Sequence, residues 1–436
     1  MSLQNLVSFA GIFLLVGLAW LFSKDKKSVS IRTILGGLAL QGVIAIFIFI
    51  VPAGTQVFLF VNDVVVKVLG SAAAGTRFVF GPLAIGPGQT GSGGETSIGF
   101  ILAFQALPTI VFFAALMGAL YYLGVMPFMI RIFSRIFSKL MHVSGAESMC
   151  AASNIFVGVE STIVIRPYLG EMTRSELCTV LAAGMGTIAS SMLAFYVMVL
   201  QKQFPTIAGH LVSASILAAP GAVVISKILY PEKESPKTMG VNITPFYERE
   251  HNVIEAMMNG ATSGTRLVVG VGGMLLAFLG MVALLDLILT AIGSPVNTLL
   301  GAQGVWSLKS ILSYIFYPLT ILIGVPLADA GTIAGIIGER TLLTEVVSYQ
   351  DLAGVIAAGT LKDPRSAVLA VYALCGFAHV ASLAIFVGGA AAIAPGRTKD
   401  LSEIGFRALC AATLSSLLTA CWAGTFYTGN AILLSH

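Results

Sequence analysis

Residues 146–169 read AESMCAASNIFVGVESTIVIRPYL. The flanks are apolar, but Asn154 and Glu160 fall at the centre and an Arg166-Pro167 pair stands near the end. A charge at the middle of a bilayer-spanning helix costs about 2.5–3.5 kcal/mol on insertion scales. A straight helix against lipid is therefore a poor reading. Two short helices that enter the membrane, meet at a tip and return explain the pattern better. A second stretch, Leu327 to Ala358, has the same character, with Thr344-Glu345 at its centre.

Working outward, each interrupted stretch follows a short helix and precedes two long apolar runs. The two units cover about 127–230 and 308–430, and a single crossing at 267–290 separates them. The second unit is then entered from the other side of the membrane. Such an inverted-topology repeat brackets a midplane binding site in secondary transporters. Apolar runs of bilayer length at Leu6–Phe22, Ile31–Val51, Phe100–Val125, Leu177–Leu200, Leu211–Tyr230, Leu267–Thr290, Val368–Ile393 and Phe406–Ala423 complete the expectation. It is an all-α polytopic membrane protein with eight transmembrane helices, two re-entrant hairpins (145–170 and 327–358) and an inverted-topology repeat. Residues 52–99 hold an amphipathic stretch, Val57 to Leu69, and a glycine-rich connection, GPGQTGSGGETSIGF. A short helix from Asn252 to Gly264 is expected to lead into the 267–290 crossing. The competing count makes 342–360 a ninth span; the repeat favours eight.

Composition agrees. Of 436 residues, 57% are hydrophobic and 10% charged, against about 25% charged in soluble domains; mean hydropathy is +0.93. A soluble fold, disorder and a coiled coil are excluded, and a net charge of +4 is too weak and scattered for nucleic acid. Cys150, Cys178, Cys375, Cys410 and Cys421 all fall in apolar stretches without a CxxC pair, which predicts buried thiols. The first run is followed, not preceded, by Lys24, Lys26 and Lys27. That order opposes a signal peptide and places the lysines in the cytoplasm, with both termini outside. Arg131, Arg135, Lys139 and His142 recur at helical spacing in PFMIRIFSRIFSKLMHV, an interfacial amphipathic helix on the cytoplasmic face. No G-x-S-x-G, HExxH or Walker A motif occurs, so no enzyme is expected.

Glu160 and Glu345 are the leading functional candidates; the plainer role for either is to cap a hairpin helix N-terminus. His379 either satisfies a carbonyl or joins Phe377 and Ser382 as an aromatic platform beside polar donors. Thr187 and Ile188, at the equivalent place in the first repeat, either break their helix to free carbonyls for a cation or back-bond within it. Asn154 either bridges helix ends or joins an ion site. Salt bridges or snorkelling account for Arg166 and Arg340, and Asp286 and Asp329 are expected to face water near the outer boundary.

Five ordered stretches, SNIFVG (153–158), VIRPYL (164–169), SYIFYPLTILIGVP (313–326), TEVVSY (344–349) and YALCGFAHVASLAIFVGG (372–389), resemble the concentrative nucleoside transporter family over essentially the whole chain. The resemblance implies a homotrimer. Each protomer would have a scaffold (1–51 as its first two helices, 52–99 as an interfacial helix and connection, 100–126, and 231–307) and a mobile transport domain (127–230 and 308–430). Movement would be elevator-like and driven by sodium, or by protons in some members, in a bacterial inner membrane. It implies ribose recognition by Glu345, Phe377 and Ser382, and sodium ligation at Asn154, Val157, Thr187 and Ile188, with Glu160 beside the ion.

The family usually shows Gly-Gln-Thr/Ser-Glu at the first tip. This chain has Gly158-Val159-Glu160-Ser161, with Thr344 and His379 where asparagines are usual. A retained sugar end and an altered base end at Val159, Ser161 and His379 then point to a modified or purine nucleoside. A passive channel and an intramembrane enzyme using Glu160, His379 and Ser382 are the rivals from other classes.

Overall fold

The computed structural model describes residues 2–86, 89–91, 94–158, 161–246, 250–301 and 304–429. Ser2 and Ser30 accept from backbone N–H groups at the starts of α1 (Leu3–Leu21) and α2 (Ile31–Phe49), as N-cap residues do. Next come α3 (Pro52–Phe80), α4 (Leu102–Gln105), α5 (Pro108–Tyr122) and α6 (Val125–Met141). The first hairpin is α7 (Gly145–Ser153) with α8 (Ser161–Val164) and α9 (Arg166–Leu169). It leads into α10 (Arg174–Gly186), α11 (Ser190–Leu200) and α12 (Ile207–Leu229). A 48-residue helix, α13 (Val253–Leu300), separates this unit from its counterpart. The counterpart comprises α14 (Leu308–Leu322), the hairpin α15 (Leu327–Leu342) and α16 (Glu345–Ala357), α17 (Pro364–Leu374), α18 (Val380–Ile393) and α19 (Thr398–Phe426). The multi-pass membrane architecture, the hairpins and the repeat are as expected.

Three expectations need correction. The helix at 252–264 and the crossing at 267–290 are one element, because nothing between them breaks the backbone ladder and small residues such as Gly260 and Gly264 let α13 lie closely on α5. The runs 177–200 and 368–393 are each broken, at Thr187–Ala189 and at Cys375–His379. The apolar stretch 57–69 belongs to a 29-residue helix.

That helix, α3, is long and apolar enough to cross a membrane, but its ends are held on one face. Its first turn is tied to the end of α2 by Thr55 Oγ1 donating to Ile48 O (3.2 Å). Just past its last turn, Gln105 Nε2, at the end of α4 and three residues before α5, donates to Leu83 O and Ile85 O (3.2 and 3.0 Å). The far end of α5 lies by the 231–252 loop, where Tyr122 Oη meets His251 O (3.5 Å). Helix α3 therefore runs along the outer surface, with Asn62 Oδ1 accepting Gly209 N–H at the start of α12 (3.2 Å). The crossings are α1, α2, α5, α10–α11, α12, α13, α17–α18 and α19.

Polar networks mark the two faces. On the lysine-rich face, Lys24 N–H donates to Leu229 O (3.0 Å) and Arg407 reaches Phe22 O and Leu229 O (both 3.2 Å). In the loop that follows α1, the Lys233 ammonium 2.6 Å from Asp25 holds that carboxyl down at about 2. Buried Lys227 pairs with Glu147 (2.6 Å) and Glu232 (3.2 Å). Glu147 and Glu176 also close capping boxes with Ser144 and Thr173, so one cation sits among the starts of α7 and α10 and the end of α12. On the opposite face, buried Arg365 donates to Gly324 O, Asn5 Oδ1, Gln4 O, Ser8 Oγ and Gly424 O, at 2.7–3.1 Å. It ties the start of α1 to the end of α19. Asp329 is 2% exposed rather than facing water, because its carboxylate accepts from Lys362 N–H and Asp363 N–H ahead of α17 and from Ser366 Oγ in its first turn.

The interior is built on α12, which is almost entirely buried, whereas very little of the apolar length of α13 is. The first sits among other helices; the second offers its surface to lipid or to another chain. The two helix breaks meet against this interior. Gly376 has φ +118°, and a Cβ there would stand 2.7 Å from Gly186 O, so only glycine fits both the backbone turn and the contact.

Candidate substrate and ion site

Thr344 is extended (φ −158°, ψ 162°) and Glu345 opens α16, so the second hairpin turns over two residues and delivers a carboxylate at a helix N-terminus. Aligned N–H groups favour negative charge there. Glu345 is 2% exposed. Tyr196 Oη, from α11, donates to its Oε1 at 2.6 Å, and the Tyr196 ring stacks on Tyr349 (centroids 4.3 Å apart). His379 Nε2 lies 2.9 Å from Oε2, yet that oxygen receives no aligned hydrogen bond among the described residues.

His379 is the N-cap of α18. Its Nδ1 accepts Ser382 N–H (3.2 Å) and its own N–H donates to Ser382 Oγ (3.3 Å). An accepting Nδ1 assigns the neutral ring's proton to Nε2, on the side of Glu345. Half-buried Phe377 meets the His379 ring edge-on at 6.5 Å. Ser382 Oγ contacts the carbonyls of Phe377 and His379 (2.7 Å to the latter), so this hydroxyl holds the helix break. Glu345, Phe377, His379 and Ser382 thus lie together, with Thr344 Oγ1 buried beside them and without a partner among the described residues.

The tip of the first hairpin forms a second polar group. Asn154 Nδ2 donates to Cys150 O (3.0 Å), whereas its Oδ1 is buried without a partner among the described residues. Ser161 is buried and receives Cys150 Sγ at 3.8 Å. Val159 and Glu160 lie outside the described residues. Thr187 leaves the helical ladder in an extended conformation (φ −120°, ψ 168°), and its hydroxyl back-bonds to Ala183 O (2.9 Å); Ile188 follows, buried. Both readings of Thr187 hold at once, the helix break and the local hydroxyl bond. Ser190 N–H donates to Phe156 O (3.0 Å), which joins this break to the hairpin tip. No cluster of three His, Cys, Asp or Glu side chains occurs among the described residues. The described oxygens at this tip, Asn154 Oδ1 among them, are neutral, a kind of donor that suits a hard ion.

Helix α11 joins the two groups. Ser190 touches the first tip and Tyr196 touches Glu345; six residues of helix span about 9 Å. A cavity of about 570 Å³ reaches the first tip from the α5–α13 side, lined by Val157, Gly158, Arg166, Ser190 and Asn259 among others. Glu345, Phe377 and His379 do not line it. Arg340, expected in a salt bridge or at the interface, is wholly buried and donates to Ala373 O at 2.6 Å. It satisfies a carbonyl at the end of α17, next to the break. Tyr196 and Tyr349 were not anticipated as parts of the site. A tyrosine in an apolar run reads as packing, and nothing local announces a partner 149 residues away.

Two hairpins and two broken helices converging inside an inverted repeat define a secondary transporter. Family models described as "Na+ dependent nucleoside transporter N-terminus", "Nucleoside recognition" and "Na+ dependent nucleoside transporter C-terminus" match residues 10–83, 103–203 and 210–424. The chain belongs to the sodium-dependent, or concentrative, nucleoside transporter family. It is 38% identical to an uncharacterized transporter of Haemophilus influenzae across 97% of both chains. It is 36% identical to the pig sodium/nucleoside cotransporter 1, over 97% of this chain and 64% of that protein. The solved structure of CNTnw in an inward-facing substrate-bound state superposes with TM-score 0.85 at 35% identity, covering 97% and 98% of the two chains. A doubly substituted CNTnw in an outward-facing state gives 0.87 at 34% identity, with the same coverage.

Proposed function

We propose that this chain performs concentrative, cation-coupled uptake of nucleosides across the bacterial inner membrane. The carrying observation is Glu345, a buried carboxylate with one oxygen held by Tyr196 and the other without an aligned donor. A ribose hydroxyl is a fitting donor for that oxygen. Phe377 then lies against the sugar, with His379 and Thr344 beside it and Ser382 holding the backbone. Base recognition in this reading falls to the tip of the first hairpin, to Val159, Glu160 and Ser161. With glutamine and asparagine positions of the family altered, a modified or purine nucleoside is the preferred substrate. A substrate group left unmatched in a buried site is strongly rejected.

Sodium is the coupling ion in this reading, held by Asn154, Val157, Thr187 and Ile188 near Glu160. The unpartnered Oδ1 of Asn154 supports it. Proton coupling is the second reading, favoured by the His379–Glu345 contact. Transport is elevator-like, with the repeats moving against α5 and α13. The protein works as a homotrimer, and the nearly unburied α13 supports that assembly.

Tritiated-nucleoside uptake into proteoliposomes tests the whole reading. A sodium gradient should drive accumulation, modified or purine nucleosides should be taken up best, and His379→Asn should shift the preference toward uridine. Uptake that follows a pH gradient and ignores sodium replaces the ion. Equal preference for uridine and cytidine removes the substrate assignment, and equilibration without accumulation points to a passive channel.

A further inference from the structure

Helix α6 is amphipathic on three sides rather than two. Met126, Ile130, Phe137 and Met141 are buried against the protein. Phe128, Ile132, Ile136 and Leu140, four residues apart, form an exposed apolar stripe (38–57% exposed). Arg131, Arg135 and Lys139, also four apart and exposed, run beside it. Residues four apart share a helix face, so each stripe is continuous along the helix.

The charge on this face is not balanced from within. The sequence has no Asp or Glu between Glu95 and Glu147. Arg131 Nε donates to Pro127 O of its own helix (3.1 Å), and among the described residues no acidic side chain pairs with Arg131, Arg135 or Lys139. Other lysines of the same face differ: Lys233 and Lys237 pair with Asp25 and Glu171 at 2.6 and 3.0 Å. Exposed Arg32 adds to the basic side. It stands one turn before Gly36, where α2 crosses α6 so closely that a Cβ would lie 2.1 Å from Leu140 O.

An apolar stripe beside unpaired cations matches a leaflet boundary, with acyl chains against one and anionic headgroups against the other. We propose that α6 binds anionic phospholipid of the cytoplasmic leaflet and so anchors the first hairpin to the bilayer surface. The coupling is short. Only His142, in a left-handed conformation (φ 54°), and buried Val143 separate α6 from Ser144, which caps α7. Lys139 thus stands only five positions before Ser144, the cap of the hairpin's first helix.

The test compares lipids retained by the full chain after reconstitution in phosphatidylcholine mixed with phosphatidylglycerol, read by native mass spectrometry. This readout does not depend on nucleoside uptake. Phosphatidylglycerol should be enriched over phosphatidylcholine on the unmodified chain, and high salt should erode the enrichment. Arg131→Gln/Arg135→Gln/Lys139→Gln should lower it about fivefold or more, whereas Lys233→Gln/Lys237→Gln and Arg131→Lys/Arg135→Lys should keep it. No enrichment on the unmodified chain, enrichment insensitive to salt, or full retention by the triple variant overturns the proposal. A second copy of the chain covering α6, seen as cross-links between helices α6 of two protomers, overturns it too.

Discussion

Glu345 has two protein neighbours of different strength, and that difference sets what substitutions should do. Glu345→Gln removes the charge that Tyr196 serves and that, in the proposed site, a sugar hydroxyl would serve too. Hydrogen bonds to a charged group contribute about 1.5–3 kcal/mol, so uptake efficiency should fall on the order of tenfold to over a hundredfold. Tyr196→Phe removes the donor at 2.6 Å but leaves the carboxylate charge in place, so uptake efficiency should fall less than in Glu345→Gln, mostly in KM, with the Tyr349 stacking retained. Uptake kinetics of the two variants check this; equal losses would mean that the carboxylate serves only to hold α11. Glu345 was legible in the sequence because a charge inside an apolar run stands out. Tyr196 was not, because its polar tip is one atom on an otherwise apolar side chain. Asp329 misled because a carboxylate near a membrane boundary ordinarily faces water. Here two backbone N–H groups and a hydroxyl replace that water.

Among the elements, the starts of α7 and α10 share one device: a Ser or Thr cap, a Glu three residues later, and Lys227 close by. Lys227→Met should leave Glu147 buried without its counter-charge. Breaking a buried pair from one side costs about 3–5 kcal/mol, so the purified protein should show a clear fall in thermal midpoint. Lys227→Met combined with Glu147→Leu should recover much of it; no recovery would mean that the lysine's packing, not its charge, matters. The order of elements was readable from apolar run length and from the two polar interruptions. The breaks in α10–α11 and α17–α18 were at best one of two readings, as at Thr187-Ile188, since a helix that opens for only three to five residues keeps the composition of a continuous span. Tertiary contact decides there, at Gly376 against Gly186. The length of α13 was missed for the opposite reason: glycines at 260, 264 and 270 suggest an interruption, but two of them serve close packing on α5.

Across the whole molecule, the cavity of about 570 Å³ lies where the first hairpin faces α5 and α13. If the repeats move against those helices, fixing the two sides must stop transport. Cysteines at Ile163 and Asn259, which both line the cavity, joined by a bifunctional thiol reagent, should abolish accumulation while nucleoside binding in detergent persists. The native thiols are buried, apart from half-buried Cys410, so background labelling should be low. Unchanged accumulation after complete cross-linking would rule out that motion.

The Arg365 knot bears on how the chain is made. Its guanidinium closes on the backbone of residues 4, 324 and 424 together, and Asn5 reaches Tyr427 O, 422 positions downstream. A ribosome makes these groups some 420 residues apart. Helix α1 must therefore wait in the bilayer, without these neighbours, until α19 arrives to lock it in place.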